Sequence, residues 1–520
     1  MSTAGARTLE DLPERFNAAV DLLEPNLRAG RGGKIAVIDE NGATTYAELA
    51  RRVDQMAGAF AALGIGRDRR VLLCLLDTVD FPTVFLGAIK AGVIPVPLNT
   101  FAAADDYRWI LANSGASAVF VSPECVAEWR QIADEHPEIT FISTGDGPWR
   151  RLDALLGAAE PLICAADTHR EDIAFWLYTS GSTGRPKGVM HIHGSMRLTA
   201  NLFGSAVIGF DEDDVVLSVA KQFFAYGLGN ALSFPFAAGS SVVLLKERAA
   251  PTAISNLIKR HQVSILAGVP SFFAKWFDSA DLPAPVEAPY LRIGVSAGEY
   301  LPAHLGEAFR RRFGTDIIDG LGSTEMLHVY LAQRPGEVRF GCTGRPVPGY
   351  ELRIVDDDGE IVPPGEIGEL QVRGPTAAQG YWRNRAKSLA TFVGGWTRTG
   401  DKYRCDAEGW YLYAGRSDDM LKVNGLYVAP DEVEEALASH EAVLEAAVIG
   451  KADGNDLVKP CAHVVLRGSH RGDDALVAAL KAHVKSRIAG FKCPHWIVFA
   501  ETLPKTATGK IQRFRLRETT

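Results

Sequence analysis

The sequence predicts an α/β protein: a large N-terminal domain of parallel-sheet α/β subdomains plus a β-barrel-like part, followed by a small α+β C-terminal domain. Three observations lead there. Short apolar runs alternate with stretches of helical periodicity over the first half of the chain, the pattern of a parallel sheet covered by helices. From about residue 351 the texture shifts to alternating segments with a turn signal roughly every 8–12 residues, as in an antiparallel barrel. The polar, glycine-ended stretch RSDDMLKVNG (416–425) then precedes a last segment of helix, strand, strand and helix. The expected domains are residues 1–417 and 418–520. A chain of 520 residues is in any case too long for one ordinary core.

The first organised unit begins near residue 34. KIAVIDE (34–40) reads as a strand and Asn41-Gly42 as a turn. Thr45 and Glu48 form a capping-box pattern, T-x-x-E. Leu49, Val53, Met56, Phe60 and Leu63 follow at helical spacing, and Gly64 marks the stop. VLLCLL (71–76) reads as a buried strand, FLGAIKAG (85–92) as helix and VIPVPL (93–98) as extended chain. SAVFVS (117–122), DIAFWLY (172–178), SSVVLL (240–245) and VSILAGV (263–269) read as further buried strands. ELRIVDDDGE, IGELQVRG and GWYLYAGR make up the barrel-like part. Past the boundary come a helix (431–439), the strands AAVIG and CAHVVL, and a long helix (473–488).

Hydrophobic residues make up 47% and charged residues 23%, globular proportions. A net charge of −8 argues against a primary role in nucleic-acid binding, although anionic ligands still require local positive charge. The 7 cysteines are scattered, without a C-x-x-C pair, so neither a disulfide framework nor a zinc site is expected. MSTAGARTLEDLPERF lacks the apolar run of a secretory signal. The longest apolar runs fall short of the ~20 residues that span a bilayer. A cytoplasmic protein without membrane partners is expected.

The strongest chemical signal is YTSGSTGRPKGV (178–189), placed directly after a strand. Thr179, Ser180, Ser182 and Thr183 supply hydroxyls, Gly181, Gly184 and Gly188 free the backbone, and Lys187 adds positive charge. Such a loop can aim N–H groups and hydroxyls at one point, an anion nest suited to a polyphosphate. It does not fit the Walker A pattern. The full string resembles the signature of the adenylate-forming superfamily, which comprises acyl-CoA synthetases, adenylation domains of peptide synthetases, and luciferases.

Further motifs resemble that superfamily in order, over roughly residues 34–515. GLGSTEM (320–326) resembles its second core motif, which implies Thr324 at the ATP phosphates and Glu325 as a catalytic ligand of Mg²⁺. A hard divalent cation favours such carboxylate oxygens. SAGEY (296–300) resembles the adenine-binding turn and puts Gly298, Glu299 and Tyr300 at ATP, with Asp319 a partner for the adenine amino group. In RTGDKYRCDAEGWYLYAGRSDD (398–419), the resemblance assigns Asp401 to the ribose hydroxyls, Arg416 to ribose or α-phosphate, and Asp418 to a hinge. LPKTATGKIQR (503–513) resembles the C-terminal catalytic motif, with Lys510 at the reacting carboxylate and α-phosphate.

By this resemblance the protein makes an acyl-adenylate from a carboxylic acid and ATP, then passes the acyl group to a thiol, with coenzyme A as co-substrate. The C-terminal domain is mobile. In one pose Lys510 faces the site; in the other, KVNG (422–425) lines the pantetheine tunnel, Gly425 giving room and Lys422 lying near the thioester-forming centre. A protein lysine acetyltransferase acting on Lys510 would switch adenylation off by removing its charge. The oligomeric state is left open, a homodimer among the options.

QFFAYGLGNALSFPFAAGS (222–240) lies where family members line the acyl pocket. Ala225, Tyr226 and Gly227 are expected on one wall, Gly322 and His328 on another. The set is compact and mostly apolar, and Tyr226 suits contact with an aromatic ring. FFAYGLGN with GSTEMLH resembles benzoate–CoA ligases, so a small aromatic carboxylate is the expected acid. A hydroxybenzoate, an aminobenzoate or a short or medium-chain fatty acid are the alternatives, as is a free-standing adenylation domain serving a carrier protein. No carrier domain with a modifiable serine is expected after residue 520, and that expectation favours CoA.

Overall fold

The computed structural model describes residues 3–181, 184–416, 421–423, 426–453, 458–468, 470–505 and 511–519. The chain is a mixed α/β protein that separates into a large unit, residues 1–352 with 372–397, and a small one, residues 353–371 with 398–520.

Among the described residues of the large unit, one sheet runs in the order Arg345–Pro346, Val329–Ala332, Ile317–Gly322, Ile293–Ala297, Ile265–Gly268, Val215–Ser218, Ser241–Val243, Ile35–Asp39 and Gly42–Thr45. Neighbours from Ile317–Gly322 through to Ile35–Asp39 are parallel, and antiparallel strands close both edges. The parallel strands are covered on both faces, which is why ILAG and IGVSA read as continuous small or apolar runs. A second sheet, parallel throughout, orders Ile94–Pro97, Arg70–Cys74, Ala118–Val121, Thr140–Ser143 and Arg150–Arg151. Pro95 and Pro97 sit on its edge strand, where a missing N–H costs no ladder bond.

The helix Tyr46–Ala62 starts as its sequence dictates. The Thr45 hydroxyl accepts from Glu48 N, and the Glu48 carboxylate accepts from Thr45 N at 2.8 Å. Leu49, Val53, Met56 and Phe60 are buried, and Gly64 takes the left-handed φ of 69° that ends the helix.

DIAFWLY departs from expectation. It joins neither parallel sheet but forms Ile173–Gly181, paired antiparallel with Gly184–Ile192 in a separate hairpin. The reason is chain length: a short connection permits only an antiparallel partner, whereas a parallel one needs a crossover of a dozen residues or more. The phosphate-loop motif is therefore carried on the arms of a hairpin.

Strands form at Glu351–Val355, Gly368–Arg373, Trp396–Cys405 and Tyr411–Arg416, where the texture change predicts them; the last two pair antiparallel. In the small unit, Val443–Ala452, Val458–Leu466 and Trp496–Phe499 form a sheet. Its side chains alternate between two cores. Ala446, Val448, Ala462 and Val464 pack with the helices Pro430–Ala438 and Asp474–Arg487, while Ala447, Ile449 and Cys461 pack with Leu503 and Leu516. No helix among the described residues is long and apolar enough to cross a membrane.

Candidate active site

Ligands of open α/β sheets collect at the carboxyl ends of the strands. Ile265–Gly268, Ile293–Ala297 and Ile317–Gly322 end side by side, and the sequence motifs begin there. Gly298 has φ 91°, so the turn after Ala297 needs glycine. Glu299 accepts from Ser271 N at 2.9 Å and from the Ser271 hydroxyl at 3.1 Å, in the first turn of Pro270–Phe277. That carboxylate clamps the turn to a helix N-terminus, where its charge is favoured. Tyr300 follows, half-buried. Asp319 faces Ser296 across the ladder. It is buried and its Oδ1 has no hydrogen-bond partner among the described residues. Burial pushes its carboxyl well above the usual range.

The strand Ile317–Gly322 runs into a tight turn. The Ser323 hydroxyl accepts from Met326 N at 3.3 Å, and Leu327 has φ 67°, a strained conformation for a buried leucine. Thr324 and Glu325 lie half-exposed on the turn, and His328, three residues beyond Glu325, is buried. The Glu325 carboxylate has one hydrogen bond among the described residues, accepted by Oε1 from the Tyr381 hydroxyl at 2.8 Å. A half-exposed carboxylate with its second oxygen unspent is the donor Mg²⁺ takes when most of its other ligands are waters and phosphate oxygens. The site residues therefore fit that ion.

One short segment joins this turn to the hairpin. The Thr376 hydroxyl donates to Met326 O at 2.8 Å and Ala378 N to Glu325 O at 2.8 Å. Gln379 N donates to Met190 O at 2.9 Å and Trp382 N to Gly188 O at 2.8 Å. Between them, Lys187 Nζ lies 5.8 Å from the centre of the Tyr381 ring. Sequence reading missed Tyr381, and its only signal there is an aromatic pair after Gly380.

The residues expected to line the acyl pocket are packed closely. The Tyr226 hydroxyl donates to Val295 O at 3.0 Å, on the strand that leads to Gly298. The His328 ring lies 4.5 Å from Phe234, 5.3 Å from Phe203 and 5.6 Å from Tyr226, centre to centre. This apolar setting holds its pKa down at about 3, so the ring is neutral. Nε2 is 3.3 Å from Tyr226 O, which makes it the donor and leaves Nδ1 as an acceptor without a partner among the described residues. A methyl at Gly322 would sit 2.7 Å from His328 O. One at Gly227 would sit 2.5 Å from Ala220 O and nearer still to Lys221 O. Ala225 is half-buried beside them.

The family model for AMP-binding enzymes matches residues 26–382, and the model of their C-terminal domain matches residues 432–510. The chain belongs to the AMP-binding enzyme family. It is 50% identical to a benzoate–CoA ligase of Thauera aromatica over 97% of this chain and 96% of that protein. It is 47% identical to a 4-hydroxybenzoate–CoA/benzoate–CoA ligase of Rhodopseudomonas palustris over 97% of this chain and 94% of that protein. A crystal structure of a benzoate CoA ligase from Burkholderia xenovorans LB400 superposes with a TM-score of 0.91 at 48% identity, over 96% of this chain and 100% of that one.

In the small unit of this AMP-binding enzyme, Asp401 and Arg416 face each other across adjacent strands. Arg416 Nη1 donates to Asp401 Oδ1 at 2.8 Å, and Asp401 N donates to the Thr399 hydroxyl at 3.1 Å. Lys422 lies on Leu421–Val423. Thr179 sits opposite Lys187 in the hairpin, whose arms also hold Ser180, Gly181 and Gly184. Ser182, Thr183, Asp418, Gly425 and Lys510 lie outside the described residues.

Proposed function

We propose that this AMP-binding enzyme is an aryl–CoA ligase whose principal substrate is benzoate. The observation that carries the reading is the segment Asp319–His328. Among the described residues it has a buried carboxyl oxygen without a partner at one end, an imidazole nitrogen without a partner in an aromatic wall at the other, and the Glu325 carboxylate with one oxygen unbonded between them. Nucleotide, metal and aryl acid each have one anchor within ten residues.

Adenylation forms a bond between a carboxylate oxygen of benzoate and the α-phosphorus of ATP, and pyrophosphate leaves. The thiol of CoA then attacks the carbonyl carbon of benzoyl-AMP, loses its proton, and AMP leaves. The first step brings two anions together, so positive charge and N–H donors must be aimed at the phosphates. The hairpin with Lys187 supplies part of this, and Lys510 is assigned the rest. Asp319 accepts from the adenine amino group, Tyr300 covers the base, and Asp401 with Arg416 holds ribose. Mg²⁺ bound at Glu325 supplies charge neutralisation on the phosphates. Tyr226 and His328 place the ring and exclude water. Lys422 and Gly425 serve the thiol step after rotation about Asp418, and acetylation of Lys510 would turn off the first step alone.

A second reading, a hydroxybenzoate as co-equal substrate, is favoured by the unspent Nδ1 of His328 in the wall. Pyrophosphate release measured over a panel of aryl and alkyl acids, with and without CoA, tests both. Benzoate should be consumed with AMP and pyrophosphate as products. Formation of ADP and phosphate, or preference for an aliphatic acid over every benzoate, would reject the proposal. Equal kcat/KM for a hydroxybenzoate would establish the second reading.

A further inference from the structure

We infer that Tyr381 is the positioning residue that aims Glu325 at its metal, and that it couples the metal corner to the phosphate hairpin. The inference rests on the reading of Glu325 as a Mg²⁺ ligand. Tyr381 is 6% exposed, yet its hydroxyl reaches the half-exposed Glu325, donating to Oε1 at 2.8 Å. A donor on one carboxylate oxygen fixes the plane of the group and leaves the other oxygen to face a cation. Outer contacts of this kind orient ligands, and their loss costs roughly 10–100-fold in metal affinity or activity.

The tyrosine is itself held rigidly. It bridges to Val189 of the hairpin, its N–H donates to the Ser388 hydroxyl at 2.9 Å, and its ring packs on Phe392 at 5.6 Å. The neighbouring Ala378 N holds the backbone of Glu325 at 2.8 Å, so the carboxylate is fixed from both ends. Lys187 Nζ sits over the tyrosine ring at 5.8 Å. A cation over the ring face favours electron density in the ring, while the hydroxyl edge serves an anion. One side chain therefore lies under the lysine with its ring and bonds the carboxylate with its hydroxyl, so it touches both the phosphate hairpin and the metal corner.

Tyr381→Phe keeps the ring under Lys187 and removes only the hydroxyl. Two readouts are compared with Glu325→Gln: the Mg²⁺ dependence of adenylation at saturating ATP and benzoate, and Mn²⁺ binding to the protein–ATP complex by electron paramagnetic resonance. Melting temperature and circular dichroism report folding. The expected result for Tyr381→Phe is a Mg²⁺ midpoint raised about tenfold, rate recovery at high Mg²⁺, and weaker Mn²⁺ binding by a similar factor. Thioester formation from supplied benzoyl-AMP should stay as in the wild type. If Glu325→Gln shifts the midpoint and Tyr381→Phe does not, the tyrosine inference is overturned and the metal reading stands. If neither variant shifts the midpoint or the Mn²⁺ signal, the metal reading fails and the inference falls with it. A uniform rate loss in Tyr381→Phe that high Mg²⁺ does not rescue assigns the residue to packing alone and also overturns the inference.

Discussion

At Gly229 an added methyl would come within 2.5 Å of His328 Nε2 and closer still to Cδ2; at Gly298 the nearest atom to such a methyl is Val269 Cγ1, at 3.7 Å. The two glycines represent two ways of building a site. On the acyl side, glycine is needed because another group already fills the space. His328 lies among Phe203, Tyr226 and Phe234, with its Nε2 bonded to Tyr226 O inside the wall and its Nδ1 without a partner among the described residues. On the nucleotide side, glycine is needed for its backbone angle, and the half-exposed Glu325 carboxylate keeps one oxygen without a hydrogen bond among the described residues. Close packing discriminates between acids by shape, while unspent polar groups serve phosphates that every substrate shares. Changes to the wall should therefore alter which acid is used, and changes to the phosphate corner should alter the rate with all of them.

The largest test of that division is Lys510→Ala. Adenylation should fall by about 10²–10³, the usual cost of one strong electrostatic contact to a transition state, and by the same factor for every accepted acid. Thioester formation from supplied benzoyl-AMP should be spared, as single-turnover measurement of each half-reaction would show. Equal loss in both half-reactions would remove Lys510 from an adenylation-only role. Loss that varies with the acid would break the division itself.

Gly229→Ala is the converse. The new methyl must displace the His328 ring, and one methylene misfit in an apolar pocket costs roughly 10–200-fold in kcat/KM. That loss should fall on benzoate, with the KM for ATP unchanged. Gly227→Ala meets backbone oxygens instead of a side chain, so a lower melting temperature is expected before any change of specificity. A parallel rise of both KM values in Gly229→Ala would show that the wall and the corner move as one.

The sequence reading reached the elements and motifs whose signals are local. The capping box of Thr45 and Glu48, the strands Ile35–Asp39, Arg70–Cys74, Ile94–Pro97, Ala118–Val121, Ser241–Val243 and Ile265–Gly268, and the helices Pro430–Ala438 and Asp474–Arg487 form where periodicity and turn residues put them. What escaped depends on long-range pairing. Tyr381 reaches Glu325 across 56 residues, through backbone bonds that no pattern in TAAQGYW announces. Glu299 reads as a nucleotide-side residue, but its carboxylate binds Ser271, 28 residues away. The left-handed angle of Leu327 is equally silent, since leucine normally argues against it. The hairpin was hidden because a buried strand looks alike whether its partner runs parallel or antiparallel.

The smallest expected effect concerns pH, and it follows from what surrounds His328. Its ring contacts are Phe203, Tyr226 and Phe234, with Asn230 Nδ2 at 3.4 Å, so no charged group among the described residues compensates its burial. Its pKa falls from 6.5 to about 3. The folded value lies below the unfolded one, so as pH falls the unfolded chain takes up the proton first. Stability linked to the neutral ring is complete well above pH 6.5 and is lost as pH falls through it, with a slope that approaches about 1.4 kcal/mol per pH unit below about pH 5.5 and ends at the folded pKa. A His328→Gln variant has no such group, so it escapes this part of the acid loss. The gap in unfolding free energy between wild type and variant should therefore narrow by about 1 kcal/mol between pH 6.5 and 5.5, as denaturant titration at each pH would measure. Over pH 6–8 the wild-type KM for benzoate should stay flat, because the wall remains uncharged throughout that range. A step in KM centred near 6.5 and absent from His328→Gln would mean that the ring charges in the folded protein. The wall would then work by electrostatics, as the phosphate corner does, and the contrast between the two regions would fail at its central residue.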